Sequence, residues 1–454
     1  MRILYYNWDP LGGPAGGGVS AYLLELIGYL VNHQMNTEIW FLNSGRKYDE
    51  SGELCIKSYT SLFGESVQTY EVINSPVLAA GRQSIINFEK YVYDTSLANI
   101  LEKFISDKGP FDVVHFHNVE GLSLNCLKLK HKFKRTKFII SLHNYFPFCP
   151  QVNLWRNDEI NCSYDDFSLC IDCFSCERYD LAKYRYMNLD IPGLKEKNLL
   201  ESSLAPDRGD ISVYEIFIKE NIKSLNEYFD VVLCVSKRTK LLAQRAGIKD
   251  DVLQVSYAGS YIAEKIKKRN TEIKADTRYL SIIYLGYGSK EKGFCFFINT
   301  FSRMRYTLRR QLRVTVVSRI GEARCTKVKK MLEQYGLFEV NVMNGYRDYD
   351  QLECILKDQD LGIVPVLWED NLPRVAMEQF AAGIPLLTSD LGGASELGGE
   401  NEKFIFKAGD YDDYIEKLQF IAEHKQILRE YFDNAIKLTT LKSHVEDLMS
   451  YYEN

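Results

Sequence analysis

The sequence predicts an α/β protein made of two doubly wound domains in series. Short apolar runs of strand length alternate with helical segments along the chain, which indicates parallel β-α-β units. The alternation stops at the polar segment 261–277 and then restarts, so this segment is expected to link two domains. The length of 454 residues is sufficient for two or three domains.

The first predicted domain spans residues 1–260. Its first helix, VSAYLLELIGYLVNH (19–33), has apolar residues at helical spacing and follows a glycine-rich loop. Residues 149–225 break the alternation and are expected to form a cysteine-rich insertion. The strand-like runs of this domain are RILYYNW (2–8), TEIWFLN (37–43), DVVHFHN (112–118), KFIISLHN (137–144) and DVVLCVS (230–236).

The second predicted domain spans residues 278–435, and residues 436–454 are expected to form a terminal helix. From about residue 410 onward the apolar residues follow a helical pattern. The strand-like runs of the second domain are RYLSIIYLG (278–286), RVTVVSR (313–319), VNVMNG (340–345), LGIVPV (361–366) and PLLTSD (385–390).

Composition excludes several classes of protein. With 56 basic and 61 acidic residues the net charge is −5, so nucleic acid is not an expected partner. No apolar run approaches the roughly 20 residues that cross a membrane. The N-terminus MRILYYNWDP lacks the apolar region of a signal peptide. We therefore expect a cytoplasmic protein whose cysteines stay reduced.

The loop LGGPAGGGVSAY (11–22) has five glycines in seven residues before a helix start, which favours the close approach of an anion. Ligands of doubly wound folds lie at the carboxyl ends of the strands, where this loop begins. The loop also matches the dinucleotide fingerprint G-x-G-x-x-A. An NAD-type oxidoreductase stays open but is disfavoured, because the loop is long and the second strand ends in Asn43 and Ser44 without an acidic residue. A flexible loop without a ligand is the other alternative.

Two further segments follow predicted strands of the second domain. YLGYGSKEKGF (284–294) places Lys292 where the next helix should begin, and a lysine beside free backbone amides could hold a diphosphate. A surface Gly-Lys turn is the alternative. WEDNLPRVAMEQFAAG (368–383) has Asp370 before a helix start and Glu378 two turns later on the same side. An N-capping aspartate with an unrelated helical glutamate is the alternative there.

Together these segments resemble the GT-B glycosyltransferases, in particular the large retaining family 4 (glycosyltransferase group 1). The resemblance covers nearly the whole chain. Its most specific part is the order Asp370, Glu378, FAAGIPLLTSDLGG, which is similar to the family's E-x7-E, A-x-G-x-P and Gly-Gly loop. GYGSKEKG, VVLCVSKRTKLLAQRAGI and FIISLHNYFPFCP resemble other segments of the family. The resemblance implies a GT-B fold, with two Rossmann-like domains facing a central cleft and the helix 436–454 crossing back to the first domain.

The resemblance also implies an activity. The donor would be a nucleotide-diphosphate sugar of the UDP or GDP type, and the acceptor a glycan or lipid-linked glycan. Glu378 would bind the ribose, Asp370 would position the donor sugar, and His143 would reach the sugar from the first domain. Retaining transfer would need no metal and no dedicated protein base, because the departing phosphate takes the proton of the acceptor. The residues implied in holding the phosphates are Gly16, Gly17, Gly18, Lys292, Asn371, Leu372 and Pro373.

Two departures from the family pattern bear on the site. Tyr287 stands where the family usually has an arginine that binds the diphosphate, so donor binding should weaken unless Arg319 or Arg374 substitutes. Asp370 is one methylene shorter than the family's glutamate, and the adjacent Glu369 lies nine rather than eight residues before the second carboxylate. We predict that Asp370 is the functional partner. A non-catalytic, metal-binding or scaffold relative stays open.

Five of the 11 cysteines crowd into the insertion with the spacing C-x12-C-x7-C-x2-C-x2-C. Close thiol pairs are typical of zinc sites, which take four ligands in tetrahedral geometry. We predict a structural zinc held by Cys149, Cys162, Cys170 and either Cys173 or Cys176, which would stabilise a loop otherwise short of a core. Reduced, partly buried thiols are the alternative.

The run LKLKHKFKRTK (127–137) is basic within an acidic protein. Contact of this run with anionic lipid would place the protein peripherally at the inner face of the membrane. A solvated helix end is the alternative. His115 and His117 are weaker candidates for contact with the acceptor. Many members of the family build surface polysaccharides, and the resemblance implies such a role here.

Overall fold

The protein folds into two compact α/β units. The N-terminal unit contains residues 1–259 together with 441–454, and the C-terminal unit contains residues 260–440. The computed structural model describes residues 1–13, 17–33, 36–79, 88–156, 159–162, 170, 211–262 and 278–453.

The N-terminal unit is built on a sheet of eight strands. These are β1 (Arg2–Tyr6), β2 (Glu38–Lys47), β3 (Cys55–Tyr59), β4 (Val67–Ile73), β5 (Val113–Phe116), β6 (Lys137–Leu142), β9 (Val231–Cys234) and β10 (Leu253–Val255), with the hairpin β7 (Trp155–Arg156) and β8 (Ile160–Asn161) beside them. The strand order is β10-β9-β6-β5-β1-β2-β4-β3. All pairs are parallel except β3 with β4.

The C-terminal unit is built on a parallel sheet of six strands. These are β11 (Leu280–Leu285), β12 (Leu312–Val317), β13 (Glu339–Met343), β14 (Leu361–Val364), β15 (Leu386–Ser389) and β16 (Ile405–Phe406). Their order is β13-β12-β11-β14-β15-β16, and every pair is parallel. The carboxyl ends of all six strands therefore meet at one edge, where polar loops follow them.

Helices connect the strands in both units. They are α1 (Gly17–Asn32), α2 (Glu89–Tyr93), α3 (Ser96–Lys108), α4 (Leu124–Leu127), α5 (Ile211–Tyr228), α6 (Lys237–Ala246), α7 (Phe294–Arg303), α8 (Tyr306–Arg309), α9 (Glu322–Gln334), α10 (Tyr349–Leu356), α11 (Arg374–Ala381), α12 (Tyr411–Glu423), α13 (Ile427–Glu430) and α14 (Leu441–Glu453). Strands that are covered on both faces read as continuous apolar runs, and β1, β6, β11 and β14 have this pattern.

Different kinds of side chain pack on the two faces of the N-terminal sheet. Tyr6 on β1 packs into an apolar core with Phe104 of α3 and Phe217 of α5. Tyr5 points to the opposite face, where its ring lies 5.9 Å from the ring of His115 on β5. That second face is the one on which aromatic and histidine side chains meet.

The terminal helix α14 belongs to the N-terminal unit, where it packs against α1. It begins at Leu441 rather than at the expected residue 436. The backbone N–H of Ile436 donates to the carbonyl of Leu397 at 3.0 Å, and Ser260 pairs with Thr440, so the segment before Leu441 belongs to the C-terminal unit. Within the described ranges, no helix is both long enough and apolar enough to cross a membrane.

Candidate functional site

In the C-terminal unit, the loop after β11 packs against the loop after β14, because these two strands are neighbours in the sheet. The Leu367 N–H donates to the carbonyl of Glu291 at 2.9 Å. Gly293 has a left-handed φ of 72°, and a Cβ there would lie 1.7 Å from the carbonyl oxygen of Pro365. Only glycine tolerates that approach. The packing of these loops holds the start of α7 beside the end of β14.

Lys292 and Asp370, which the sequence singled out separately, form an ion pair. The Lys292 Nζ donates to Asp370 Oδ2 at 2.6 Å, and it also lies 5.0 Å from the centre of the Trp368 ring. Asp370 is only 7% exposed. An anion that binds to Lys292 must therefore share this ammonium group with the Asp370 carboxylate.

Glu369 and Asp370 have different partners. The Glu369 Oε2 accepts the N–H of Gly392 at 3.0 Å, which ties it to the loop after β15. The Asp370 carboxylate faces Lys292, while its backbone carbonyl accepts the N–H of Gly393 at 2.9 Å. The Gly-Gly loop is thus shaped by both acidic residues, but only Asp370 directs its side chain to the lysine.

Pro373 was implied in holding the phosphates, but its place at the start of α11 gives it no donor for them. Pro373 is the N-cap rather than a residue of the first helical turn, and the helix begins at Arg374. Proline has no backbone N–H, so the donors at this helix end come from Arg374 and Val375 and not from Pro373. The Pro373 carbonyl accepts the N–H groups of Ala376 and Met377. Pro373 thus orients the helix start, and an anion would be bound by the residues beside it.

Two buried polar atoms lie in the segment between β14 and α11. Among the described residues, Oδ1 of Asn371 and Nε1 of Trp368 have no hydrogen-bond partner. Buried polar atoms normally have partners, and exceptions call for an explanation. A ligand that supplies one acceptor and one donor would satisfy both atoms. Leu372, the next residue after Asn371, is partly buried and packs against the apolar core.

Glu378 lies on α11 and is 3% exposed. The Tyr346 hydroxyl donates to Glu378 Oε1 at 3.1 Å. Burial and then the neighbouring Glu378 carboxylate hold the pKa of Tyr346 above its usual range, so the phenol stays protonated and serves as the donor. A hydroxyl group is thus already bound to the carboxylate that was predicted to bind ribose hydroxyls.

Tyr287, at the position of the family's arginine, has no guanidinium group and is 62% exposed. The two arginines considered as substitutes lie at the same edge of the sheet. The Arg374 Nη2 donates to the Tyr349 hydroxyl at 3.1 Å, and Arg319 packs beside Gly345 after β12. Arg319 is exposed. Both guanidinium groups are therefore candidates for phosphate contact.

Sequence reasoning assigned no role to Tyr346 or Trp368. Tyr346 follows β13 by three residues, and Trp368 follows β14 by four. The rule that ligands lie beyond the carboxyl ends of parallel strands would have included both positions. Their roles depend on contacts with residues that are distant in sequence, and no local pattern reports those contacts.

In the N-terminal unit, α1 begins at Gly17 and Gly18, which are exposed. Gly17 has a φ of +55°, and a Cβ there would meet no atom within 4 Å. Gly16 lies outside the described residues. Behind this helix start, the Ser20 hydroxyl donates to Asp9 Oδ2 at 3.1 Å. The predicted role of Gly17 and Gly18 in binding phosphate stays a prediction.

His143 follows β6 and belongs to a buried cluster of four histidines. Nδ1 of His117 lies 3.1 Å from Nε2 of His143, and the His115 Nδ1 lies 2.6 Å from the Tyr452 hydroxyl. His444 contributes Nε2, 2.7 Å from the hydroxyl of Tyr22. His115 and His117 are both fully buried, whereas His143 is half-buried. The only histidine of the cluster that is accessible at the strand end is therefore the predicted catalytic residue His143.

Acid should destabilise the N-terminal unit through this cluster. Burial lowers the pKa of His115 and His117 well below 6.5, that of His143 to about 3 and that of His444 to about 4. The unfolded chain binds protons below about pH 6.5, whereas the folded unit does not. The free energy of unfolding should therefore be intact above pH 6.5 and fall by about 1.4 kcal/mol per pH unit for each histidine below it.

Chemical unfolding measured from about pH 8 to about pH 4.5 tests this expectation. His444→Gln keeps an amide near the Tyr22 hydroxyl but removes one titrating ring, so its stability should fall less steeply with acid. His33→Asn, at an exposed histidine just after α1, is the matched control and should leave the slope unchanged. Equal slopes for wild type and His444→Gln would contradict the prediction.

The predicted zinc ligands are described in part. Cys149, Cys162 and Cys170 pack against the N-terminal core, and the Cys149 thiol accepts the N–H of Leu154 at 3.3 Å. Cys173 and Cys176 lie outside the described residues. In the part of the chain that is described, no group of three or more histidine, cysteine or acidic side chains has metal-site geometry. The structural zinc stays a prediction.

Three of the six lysines and arginines in the basic run 127–137 form ion pairs. The Nζ of Lys128 lies 3.2 Å from Glu220, that of Lys130 lies 2.6 Å from Asp230, and Lys132 pairs with Glu102. The run therefore forms a surface of mixed charge, which favours the alternative of a solvated helix end over a purely cationic membrane patch.

Comparison with known proteins finds a family match for most of the C-terminal unit. Residues 264–439 match the family described as "Glycosyl transferases group 1". The lipopolysaccharide 1,2-N-acetylglucosaminetransferase of Salmonella typhimurium is 34% identical over 122 residues. This match spans 26% of the chain and 32% of that relative, so it covers about a third of the relative's length.

Solved structures match over the whole chain. HepE of Anabaena in complex with UDP has a TM-score of 0.60 at 13% identity and covers 99% of both chains. Sucrose-phosphate synthase of Thermosynechococcus elongatus has a TM-score of 0.59 at 12% identity and covers 100% of this chain and 98% of its own. A glycosyltransferase of Rickettsia africae has a TM-score of 0.58 at 14% identity. The match covers 100% of this chain and 98% of the Rickettsia chain. These structures confirm the predicted GT-B fold with two Rossmann-like domains. The match to the group 1 family supports the predicted class of enzyme.

Proposed function

We propose that this protein is a retaining family 4 glycosyltransferase that moves a sugar from a UDP-sugar to a hydroxyl group of a glycan or lipid-linked glycan. One observation carries the proposal. Within the region that matches the group 1 family, Lys292 follows β11, Asp370 follows the neighbouring β14, and Glu378 lies on α11 just beyond it. Each of the three has a polar partner. A lysine for phosphate, a carboxylate for the sugar and a buried carboxylate for the ribose are the groups that a nucleotide-sugar site needs.

The diphosphate would lie against Lys292 and the start of α11. The positive end of a helix dipole and its free N–H groups favour an anion, and a lysine adds a full charge. Oδ1 of Asn371 and Nε1 of Trp368, which have no hydrogen-bond partner within the described part of the chain, lie in the same segment. Arg319 or Arg374 would supply the guanidinium contact that Tyr287 lacks. The donor would thus be held by the C-terminal unit.

Glu378 would bind the ribose hydroxyls in place of the Tyr346 hydroxyl, since a carboxylate accepts two such bonds in a bidentate manner. Uracil is our choice of base. The solved structures of HepE are described as complexes with UDP and with UDP-glucose, and the fold of that protein matches the full chain. GDP stays the second candidate for the nucleotide.

The reaction would break the bond between the anomeric carbon and the β-phosphate oxygen and form a bond to the acceptor oxygen on the same face. The proton of the acceptor hydroxyl would pass to the departing phosphate. Catalysis would then consist of positioning by Asp370 and His143 and of neutralising the leaving group with Lys292 and the helix amides. Because these groups neutralise the leaving group, we expect transfer to proceed without a divalent metal.

The acceptor is proposed from the Salmonella relative, which is described as a lipopolysaccharide 1,2-N-acetylglucosaminetransferase. A growing surface polysaccharide is a substrate of the same chemical class. If its acceptor is attached to lipid, the protein would work peripherally at the inner face of the membrane, although the ion pairs of the basic run 127–137 do not favour strong electrostatic binding.

Calorimetric titration with UDP, GDP and ADP tests the proposed donor. We expect UDP to bind with a dissociation constant of about 1 μM to 1 mM, and GDP and ADP to bind more weakly. Incubation with UDP-glucose and UDP-N-acetylglucosamine, followed by assay of released UDP, then identifies the sugar. Failure of all three nucleotides to bind would contradict the proposal and favour the non-catalytic alternative.

A further inference from the structure

The contact between His117 and His143 bears on which nitrogen of His143 holds its proton. Their facing nitrogens, Nδ1 of His117 and Nε2 of His143, lie 3.1 Å apart. His117 is fully buried, and its other nitrogen, Nε2, has no hydrogen-bond partner among the described residues. Both rings are neutral, since burial and neighbouring histidines hold their pKa values far below 6.5. Each ring therefore carries one N–H, and the pair has two possible arrangements.

In the first arrangement, His117 Nδ1–H donates to His143 Nε2. The proton of His143 must then be on Nδ1, and the buried Nε2 of His117 is a bare lone pair. In the second arrangement, His143 Nε2–H donates to His117, which leaves an N–H buried at His117 Nε2 with no acceptor. A buried donor without an acceptor is rarer in proteins than an acceptor that lacks a donor. The first arrangement is therefore the more stable one.

The surroundings keep His117 in this position. Its ring lies 4.2 Å from that of His115 and 5.6 Å from both Tyr5 and Tyr22. His115 is itself held at both nitrogens, by Ser141 at 2.9 Å and by Tyr452 of α14 at 2.6 Å. A ring enclosed in this way cannot turn toward solvent. It presents Nδ1 to His143 permanently.

We propose that His117 is a positioning residue that holds His143 as the Nδ1–H tautomer, so that His143 offers the substrate a hydrogen-bond donor and not a base. The role of His143 at the sugar rests on the proposed function. The accepting group would be an oxygen of the donor sugar. A donor at this place agrees with a transfer in which the leaving phosphate, rather than a histidine, takes the proton of the acceptor.

Two variants of the same shape separate this role from simple packing. Asparagine can place its amide nitrogen where His117 Nδ1 stands, whereas aspartate offers only acceptors there. We expect His117→Asn to keep the tautomer of His143 and to retain kcat within a few-fold. We expect His117→Asp to move the proton of His143 to Nε2 and to lower kcat about 10- to 100-fold, with a smaller change in KM for the UDP-sugar.

The tautomer can be read directly from the ¹⁵N chemical shifts of His143 in protein labelled at histidine. The resonances are assigned with single substitutions, and thermal melts establish that each variant is folded. His33→Asn, at an exposed histidine, is the control and should change neither kcat nor the shifts of His143.

The proposal is overturned if wild-type His143 carries its proton on Nε2, or if His117→Asn and His117→Asp lose kcat equally. The spectroscopic test does not depend on activity. If the folded wild-type protein transfers no sugar from any UDP-sugar, the proposed function fails, while the ¹⁵N shifts still decide the tautomer.

Discussion

Replacing Asp370 with asparagine should lower the rate of sugar transfer at least about 100-fold, which corresponds to about 2.7 kcal/mol of transition-state stabilisation. Binding of UDP should stay within about three-fold of wild type or become tighter. The reason is the ion pair: Asp370 Oδ2 shares the Lys292 ammonium at 2.6 Å, so its neutralisation leaves the lysine to the diphosphate alone. Calorimetry with UDP and initial rates with the UDP-sugar measure the two effects separately.

Glu369→Gln is the matched control for this experiment. Its amide oxygen can still accept the N–H of Gly392, so transfer should fall much less than in Asp370→Asn. Lys292→Ala should show the reverse pattern in binding: the affinity for UDP should fall about 30-fold or more, and that for uridine should not change. If Glu369→Gln abolished transfer while Asp370→Asn did not, the assignment of Asp370 would be wrong.

Replacing Glu378 with alanine should strongly weaken the binding of UDP. Hydrogen bonds to a charged group contribute about 1.5–3 kcal/mol each, and a carboxylate that binds two ribose hydroxyls would lose both. We expect the dissociation constant for UDP to rise at least about 100-fold. The affinity for uridine should fall with that for UDP, because the ribose is common to both, and this distinguishes the loss from that of Lys292→Ala.

Two further variants complete this test. Tyr346→Phe keeps the ring but removes the hydroxyl that occupies Glu378 Oε1, so UDP should bind equally well or more tightly. Glu333→Ala removes an exposed carboxylate from α9 of the same unit and should have no effect. Retained UDP binding in a folded Glu378→Ala protein would exclude Glu378 as the ribose ligand.

Several features of the fold could be read from single segments of the sequence. β1, β6, β11 and β14 are buried on both faces, so their apolar runs predict strands without reference to other parts of the chain. β3 and β4 were not predicted. β3 lies antiparallel at the edge of the sheet, none of its residues is buried, and it gives no clear apolar run. For β3, the edge position, which is a property of the whole sheet, therefore left no apolar pattern to detect.

The site shows the same division. Local spacing alone indicated that three residues lie near strand ends or helix starts, because these places have characteristic residues. The three are Lys292, Asp370 and Glu378. Lys292 contacts Asp370, which is 78 residues away, because β11 and β14 are neighbours in the sheet. The Tyr346 hydroxyl donates to the Glu378 carboxylate because the loop after β13 brings the two side chains together.

The histidine cluster was beyond local reasoning altogether. His115 and Tyr452 are 337 residues apart, and Tyr22 and His444 are 422 apart, yet both pairs are within hydrogen-bond distance. The sequence by itself determined the α/β class, most of the strands and the residues at their ends, because periodicity and turn chemistry are local. Only the tertiary structure decided which of those residues are in contact and which histidine stays accessible. The order of the strands and the position of α14 bring together segments whose sequences do not indicate that they are in contact.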